Sequence, residues 1–354
     1  MSLGPIMLDL RGLQLEPDER ELLRHPLVGG VILFSRNYSD IDQLRKLTGD
    51  IHQLRNPALL IAVDHEGGRV QRFHQGFTRL PACACYGQLY EKDRNLARDQ
   101  AENAGWLSAV ELLSVGIDLS FAPVLDINPG VSEVIGNRAF HSEPEIVAEL
   151  AMYFCRGMKK AGMEAVGKHF PGHGSVGADS HHAVPIDRRR FQEIAMRDMV
   201  PFQRLLTSHL QGIMPAHVIY PDVDEKPAGF SGQWLEQVLR RQLGFQGTIF
   251  SDDISMKGAE VLGSYTERAC AAIAAGCDMV LVCNNQEAAI KVLETLQAEI
   301  SPASQVRLIR MHGRRLDSGI EELQKQTDWQ LISRQLTSLE KSPELGLADD
   351  GIPG

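Results

Sequence analysis

The chain has 354 residues, of which 43% are apolar and 23% charged, and its formal net charge is −10. That is enough for one large domain or two small ones, and the composition is that of a globular protein able to bury its own core. The acidic balance and the lack of a strong basic block exclude a nucleic-acid surface as the expected role. No stretch approaches the roughly 18 consecutive apolar residues of a membrane span.

The opening residues, MSLGPIMLDLRGLQL, lack a basic segment followed by a long apolar run. No secretory signal is therefore expected, and a cytoplasmic location is. Of the six cysteines (Cys83, Cys85, Cys155, Cys270, Cys277 and Cys283), five sit in or beside apolar or small-residue stretches and none forms a paired C-x-x-C set. Reduced thiols, mostly buried, are the expectation.

Eight short runs rich in β-branched residues and bounded by turn signals read as buried parallel strands. In chain order they are Ile6–Leu10, Val28–Phe34, Leu59–Asp64, Leu119–Leu125, Ala165–His169, Gly212–His217, Thr248–Asp252 and Met279–Cys283. Helical patterns lie between most of them. The clearest is Leu96–Val115, with Gly116 placed as a C-terminal cap. Others run over Arg188–Leu206 and over Trp234–Gln242 before Gly244. Strand–helix alternation through about 290 residues predicts a parallel sheet. Eight repeats predict an α/β fold closed as a (β/α)8 TIM-type barrel over residues 1–300. After Ser301 the chain reads as helix, with Leu308, Met311, Leu316, Ile320 and Leu323 on a recurring face. Residues 301–341 are expected to pack on the barrel as a C-terminal helical addition to a single domain, and 342–354 to fray.

Active sites of such barrels lie at the C-terminal strand ends. The third strand ends in Asp64-His65-Glu66-Gly67-Gly68-Arg69, followed by Arg72; the fourth leads through Asp126 to Gly136-Asn137-Arg138. The fifth ends in Lys168-His169-Phe170-Pro171-Gly172-His173-Gly174, the sixth in Ala216-His217 and the seventh in Ser251-Asp252-Asp253. Single charges of this kind are ordinarily solvated or structural: Asp64 is open to a reading as a strand-end cap, Arg138 as an ion-pair partner, and Lys168 and His169 as interior polar groups. Five such groups on one rim point to chemistry.

The densest stretch is Lys168 to His182, which Pro171 and the glycines keep from being a helix. Three readings compete. Gly172-His173-Gly174-Ser175-Val176-Gly177 matches a phosphate-binding spacing, but no helix opens after it to hold the anion. His169, His173, Asp179 and His181 are metal-ligand types, but Pro-Gly breaks the helix that would put His169 and His173 on one face. The third is acid/base catalysis: Asp179, two residues from His181, can orient the imidazole and raise its pKa toward the working range. That reading also gives Asp252 the proton-transfer partner a nucleophile needs.

Lys168–Gly174 with Asp179-Ser180-His181 resembles the signature of the glycoside hydrolase family 3 β-N-acetylglucosaminidases. Ile249–Met256 resembles that family's nucleophile strand, and Asp64–Arg72 and Gly136–Phe140 match it too, in the same order. The likeness runs from about Ile6 to Cys283, and it is nearest to the bacterial single-domain enzymes of cell-wall recycling. It implies a retaining exo-β-N-acetylglucosaminidase with Asp252 as nucleophile, His181 as general acid/base and Asp179 as its partner. Asp64, Arg72, Arg138, Lys168 and His169 would bind the sugar. Asp253 would point to the other side of the strand, and His182 has no counterpart. Pro227–Ser231 is looser than the family's form, and no ligand contact is expected there. No metal or cofactor is implied. The implied substrate is a muropeptide, N-acetylglucosamine joined to anhydro-N-acetylmuramic acid, and the implied state a monomer. The rivals are the same mechanism on another sugar, a silent sugar-binding protein, and a metal-dependent amidohydrolase.

Overall fold

The computed structural model describes residues 2–177, 184–297, 301–316 and 319–340. Asp179 and His181, the expected acid/base pair, and their neighbour His182 lie outside the described residues, as does the expected frayed tail from 342.

All eight expected strands are present, seven of them shorter than the apolar run and β5 of equal length but one residue later: β1 (Ile6–Leu8), β2 (Val28–Leu33), β3 (Leu60–Val63), β4 (Leu119–Ser120), β5 (Val166–Phe170), β6 (Gly212–Pro215), β7 (Thr248–Ile249) and β8 (Val280–Val282). They form two parallel sheets, in the orders β8-β1-β2-β3-β4 and β7-β6-β5. Registers such as Ile6↔Val280, Gly30↔Leu60 and Val166↔Gly212 align neighbours. Single parallel bridges stand where the sheets face each other, Val124↔Lys168 beyond β4 and Phe250↔Met279 beyond β7. Short antiparallel ladders, His65–Gly67 with Val70–Gln71 and Ile219–Tyr220 with Asp224–Pro227, rise beyond β3 and β6.

Strand alternation divides the core in two. Ile6, Leu8, Val31, Leu33, Ile61 and Val63 join the large cluster that includes the helices. Met7, Ile32, Leu60, Ala62, Val166, Met214, Phe250 and Leu281 form a second cluster on the opposite faces. Leu308 and Met311, from the C-terminal segment, are built into that second cluster.

The helix Arg94–Ser114 forms as expected, and Gly116 takes φ +84 just past it, a conformation favouring glycine. Trp234–Gln242 forms as Gln233–Gln242, wound more widely so that Leu243 N donates to Val238 O, five residues back. One expectation needs correction. Arg188–Leu206 is two helices, Phe191–Met196 and Val200–Leu205. Pro201 has no N–H to donate to residue 197, and Asp198 is drawn inward to Arg189. Among the described residues the C-terminal segment holds three helices, Pro302–Ile309, Ile320–Leu323 and Thr327–Glu340. Leu308, Met311, Ile320 and Leu323 are buried as expected. Five cysteines are buried and Cys270 is exposed, all as free thiols. No helix among the described residues is long and apolar enough to cross a membrane.

A buried carboxylate helps to tie the last helix to the helix Arg94–Ser114 and to Thr78. Fully buried Glu111 accepts from Thr78 N (3.0 Å), Thr78 Oγ (2.7 Å) and Trp329 Nε1 (3.0 Å). Burial pushes its carboxyl up to about 7, against the hydrogen bonds from Thr78 and Trp329. A raised folded-state pKa favours the protonated form, so the stability it brings is complete below about 4.5 and lost as pH rises through about 7. Glu111→Gln removes that titration. The melting temperature of the variant relative to wild type should climb between pH 5 and pH 8, by an amount of order 2–3 kcal/mol in stability. Thermal melts across that range check it, and a pH-independent difference would exclude Glu111 as a titrating group.

Candidate active site

The third strand delivers the first two charges. Asp64 and Glu66 are two apart in extended chain, so their side chains share a side. Lys168, on β5, reaches both, with Nζ 2.7 Å from Asp64 Oδ1 and 2.6 Å from Glu66 Oε1. Arg138, at the end of a short helical turn over Gly136–Arg138, closes on the same carboxylate with two parallel bonds of 2.8 Å from Nε and Nη2. The four charges sum to zero. Lys168 and Glu66 are only 3% and 2% exposed in their side chains, whereas Asp64 keeps 19%. Asp64 is thus the member that still faces outward.

Burial alone would raise Glu66, but Arg138 and then Lys168 hold its carboxyl well below the ordinary range. Against its own burial, Lys168 is raised by Asp64 and Glu66, and so stays charged. Arg72 lies next to the group, its Nη2 3.8 Å from Asp64 Oδ2 and its guanidinium 5.7 Å from the Phe34 ring centre.

A second network adjoins the first through the Lys168-His169 peptide. Asp126, fully buried beyond β4, is held below the ordinary carboxylate range by His169 and His173 in spite of burial. Its Oδ2 lies 2.6 Å from His169 Nδ1, and its Oδ1 accepts from His173 N at 2.7 Å. The carboxylate therefore fixes the His169 ring and directs its other nitrogen away from Asp126. His173 sits with its ring 6.0 Å from that of His169, and burial pushes it down to about 4, so it is neutral at ordinary pH. A Cβ on Gly174 would fall 1.7 Å from Ile127 O, so only glycine lets this stretch lie against the segment after β4.

Beyond β7 stand Asp252 and Asp253, and the structure separates them. Asp253 turns its carboxylate to Ser255 N (2.9 Å), Ser255 Oγ (2.6 Å) and Cys283 N (3.3 Å), stapling the turn to the end of β8. Burial pushes it up to about 6. Asp252 Oδ1 accepts from Asp253 N at 2.8 Å, and its charge is felt by both His173 and His217. His217 is fully buried, stacked on Phe230 at 5.1 Å between ring centres, with Nε2 3.1 Å from Asp253 O.

The expected residues Asp64, Arg72, Arg138 and Lys168 thus meet in one cluster, with His169 beside it and Asp252 joined to it through His173. Arg138 is an ion-pair partner, as one reading allowed, but its partner is Glu66 inside the cluster. Glu66 and Asp126 were not among the expected site residues. Two anions were legible as needed once two cations, Lys168 and Arg138, were placed at the rim. Ser231, in the stretch where no contact was expected, is bonded to Asp224 Oδ2 at 2.6 Å. Among the described residues no group of three or more His, Cys, Asp or Glu stands where it could hold a metal ion.

Residues 7–311 match the N-terminal domain of glycosyl hydrolase family 3. The chain is 56% identical to a β-hexosaminidase of Thioalkalivibrio sulfidiphilus, over 98% of this chain and 99% of that one. It is 52% identical to a β-hexosaminidase of Methylobacillus flagellatus, over 100% and 99%. Its structure resembles that of NagZ from Neisseria gonorrhoeae in complex with N-trifluoroacetyl-D-glucosamine, with a TM-score of 0.92 and 44% identity over 96% of this chain and 99% of that one.

Proposed function

The chain belongs to glycoside hydrolase family 3 and is a β-N-acetylhexosaminidase of that family, and from that premise we propose that it is a retaining exo-β-N-acetylglucosaminidase. The observation that carries the reading is the neutral cluster of Asp64, Glu66, Arg138 and Lys168, adjoined by the His169–Asp126–His173 network, whose His173 feels the charge of Asp252. Paired cations and anions present donors and acceptors to sugar hydroxyls without net charge, and Asp252, at the end of another strand, supplies the separate carboxylate the reaction needs. Asp64, Arg72, Arg138, Lys168 and His169 bind the terminal N-acetylglucosamine. Asp252 attacks its anomeric carbon and forms a covalent glycosyl-enzyme.

His181, oriented by Asp179, protonates the departing oxygen and then takes a proton from the incoming water. Retaining enzymes ordinarily place a second carboxylate there. A histidine is neutral after giving up its proton, so the site gains no second negative charge beside Asp252. His181→Gly should slow substrates with poor leaving groups by about 10²–10⁴-fold and spare activated aryl glycosides. Equal loss on both would remove the proton-donor role.

The architecture we infer is a closed eight-stranded barrel in the order β1 to β8, supported by the bridges Val124↔Lys168 and Phe250↔Met279 between the two sheets. The substrate is a muropeptide carrying terminal N-acetylglucosamine on anhydro-N-acetylmuramic acid, cleaved in the cytoplasm by a monomer. The testing experiment is hydrolysis of p-nitrophenyl N-acetyl-β-D-glucosaminide beside the matching β-glucoside, with and without EDTA. Release from the first alone, unaffected by chelator, is expected. Release from the glucoside alone would keep the mechanism and overturn the specificity.

A further inference from the structure

Asp198 lies outside the substrate cluster, yet it is fully buried and hydrogen-bonded through both carboxylate oxygens. Its Oδ1 accepts from Ser175 Oγ at 2.8 Å. Its two oxygens also accept from Arg189, at 2.8 Å from Nη1 and 3.1 Å from Nη2. Arg189 in turn grips Asp187 through Nε (3.0 Å) and Nη2 (2.6 Å). Asp187 is itself fixed, its N donating to Ile219 O at 2.8 Å. On the other side Tyr220 OH donates to Gly172 O at 2.8 Å, and a Cβ on Gly172 would fall 2.6 Å from Asp198 Cβ. One carboxylate, from the turn between the helices Phe191–Met196 and Val200–Leu205, therefore holds the chain twice. It holds it as it leaves β5, at 172–175, and as it returns, at 187–189.

Two buried carboxylates held by one half-buried arginine are a poor device for stability alone, since burying each charge costs desolvation that the pairing must first offset; what they add is a fixed arrangement. Here the arrangement concerns the two ends of the stretch that carries Asp179 and His181. Fixed flanks at 172–175 and 187–189 lower the ordering cost that proton transfer from between them would otherwise carry.

We propose that Asp198, Arg189 and Ser175 are positioning residues for proton transfer, setting where the chain from 176 to 184 begins and ends so that His181 meets the glycosidic oxygen. This rests on the reading of His181 as the acid/base. None of the three touches substrate.

The test measures kcat/KM on aryl N-acetyl-β-glucosaminides graded in leaving-group acidity, with the full chain and the variants His181→Ala, Arg189→Gln and Ser175→Ala. For Arg189→Gln the expected loss is about 10²-fold on the poorest leaving group, for Ser175→Ala about 10-fold, and for either less than about 3-fold on the dinitrophenyl substrate. The slopes of these two variants should steepen in the same sense as that of His181→Ala. Equal loss across the series, or none, overturns the proposal. A steep slope for His181→Ala with flat slopes for the other two sinks the clamp alone. A flat slope for His181→Ala sinks the acid/base reading and the clamp with it. Should Arg189→Gln fail to fold, Ser175→Ala, which removes a single hydrogen bond, decides the matter.

Discussion

Asp252→Asn should lower kcat/KM on an aryl N-acetyl-β-glucosaminide by about 10⁴-fold or more while leaving the fold intact, the size of effect expected when a covalent nucleophile is removed. The structure offers an internal control in the next residue. Asp253 has its carboxylate turned to Ser255 and the Cys283 N–H, whereas Asp252 Oδ1 accepts from Asp253 N at 2.8 Å. Asp253→Asn should therefore cost stability more than turnover. Its carboxyl is raised to about 6, so the stability it brings is full below about 3.8 and lost as pH rises through about 6. The two variants should thus part cleanly: one inactive with a near-wild-type melt, the other active with an altered melt. Steady-state kinetics with thermal melts check this, and an active Asp252→Asn would refute the covalent mechanism.

Glu66→Ala should destabilise the protein by about 3–5 kcal/mol at neutral pH, the range for removing one partner of a buried ion pair. The loss leaves Lys168 and Arg138 facing each other with Asp64 as their only nearby acid of the original pair. Glu66→Gln keeps the shape and should cost less. Because the Glu66 carboxyl is held well below 4.5 in the fold, its stabilisation is present above about 4.5 and lost as pH falls below that value. The difference between wild type and variant should therefore shrink in acid. Urea titrations at pH 7 and pH 4 measure it, and a difference that persists unchanged in acid would show that Glu66 acts through packing and not through charge.

These two residues also mark how far the sequence could be read. All eight strands were legible because each is a short β-branched run, and a buried parallel strand has no other way to be written. Asp64, Arg72, Arg138, Lys168, His169 and Asp252 were legible because polar groups at strand ends have few structural excuses. Glu66 stood in a quoted motif and was passed over, although its spacing of two from Asp64 puts both on one side. Asp126 was seen as a strand-end acid, but its bond to His169 Nδ1 joins residues 43 apart, which no local pattern announces. The break before Pro201 has a local signal, since proline has no N–H to donate to residue 197, but the apolar spacing of Arg188–Leu206 is helical throughout and masks it; the pull of Arg189 on Asp198, nine residues on, completes the turn between two short helices.

The first strand meets segments about 275–300 residues further along the chain, and that has a bearing on how the fold is made. Ile6 pairs with Val280, Leu3 N donates to Gln305 Oε1 at 2.8 Å, and Leu308 and Met311 complete the inner apolar cluster begun by Leu3 and Met7. On the ribosome, β1 emerges first and must wait for nearly the whole protein before its second neighbour exists. At roughly 5–20 residues per second that wait lasts from about a quarter of a minute to a minute. Throughout it, one edge of β1 and half of an apolar cavity stand unpartnered, so the nascent chain, more than the finished enzyme, is the species that chaperones must shield.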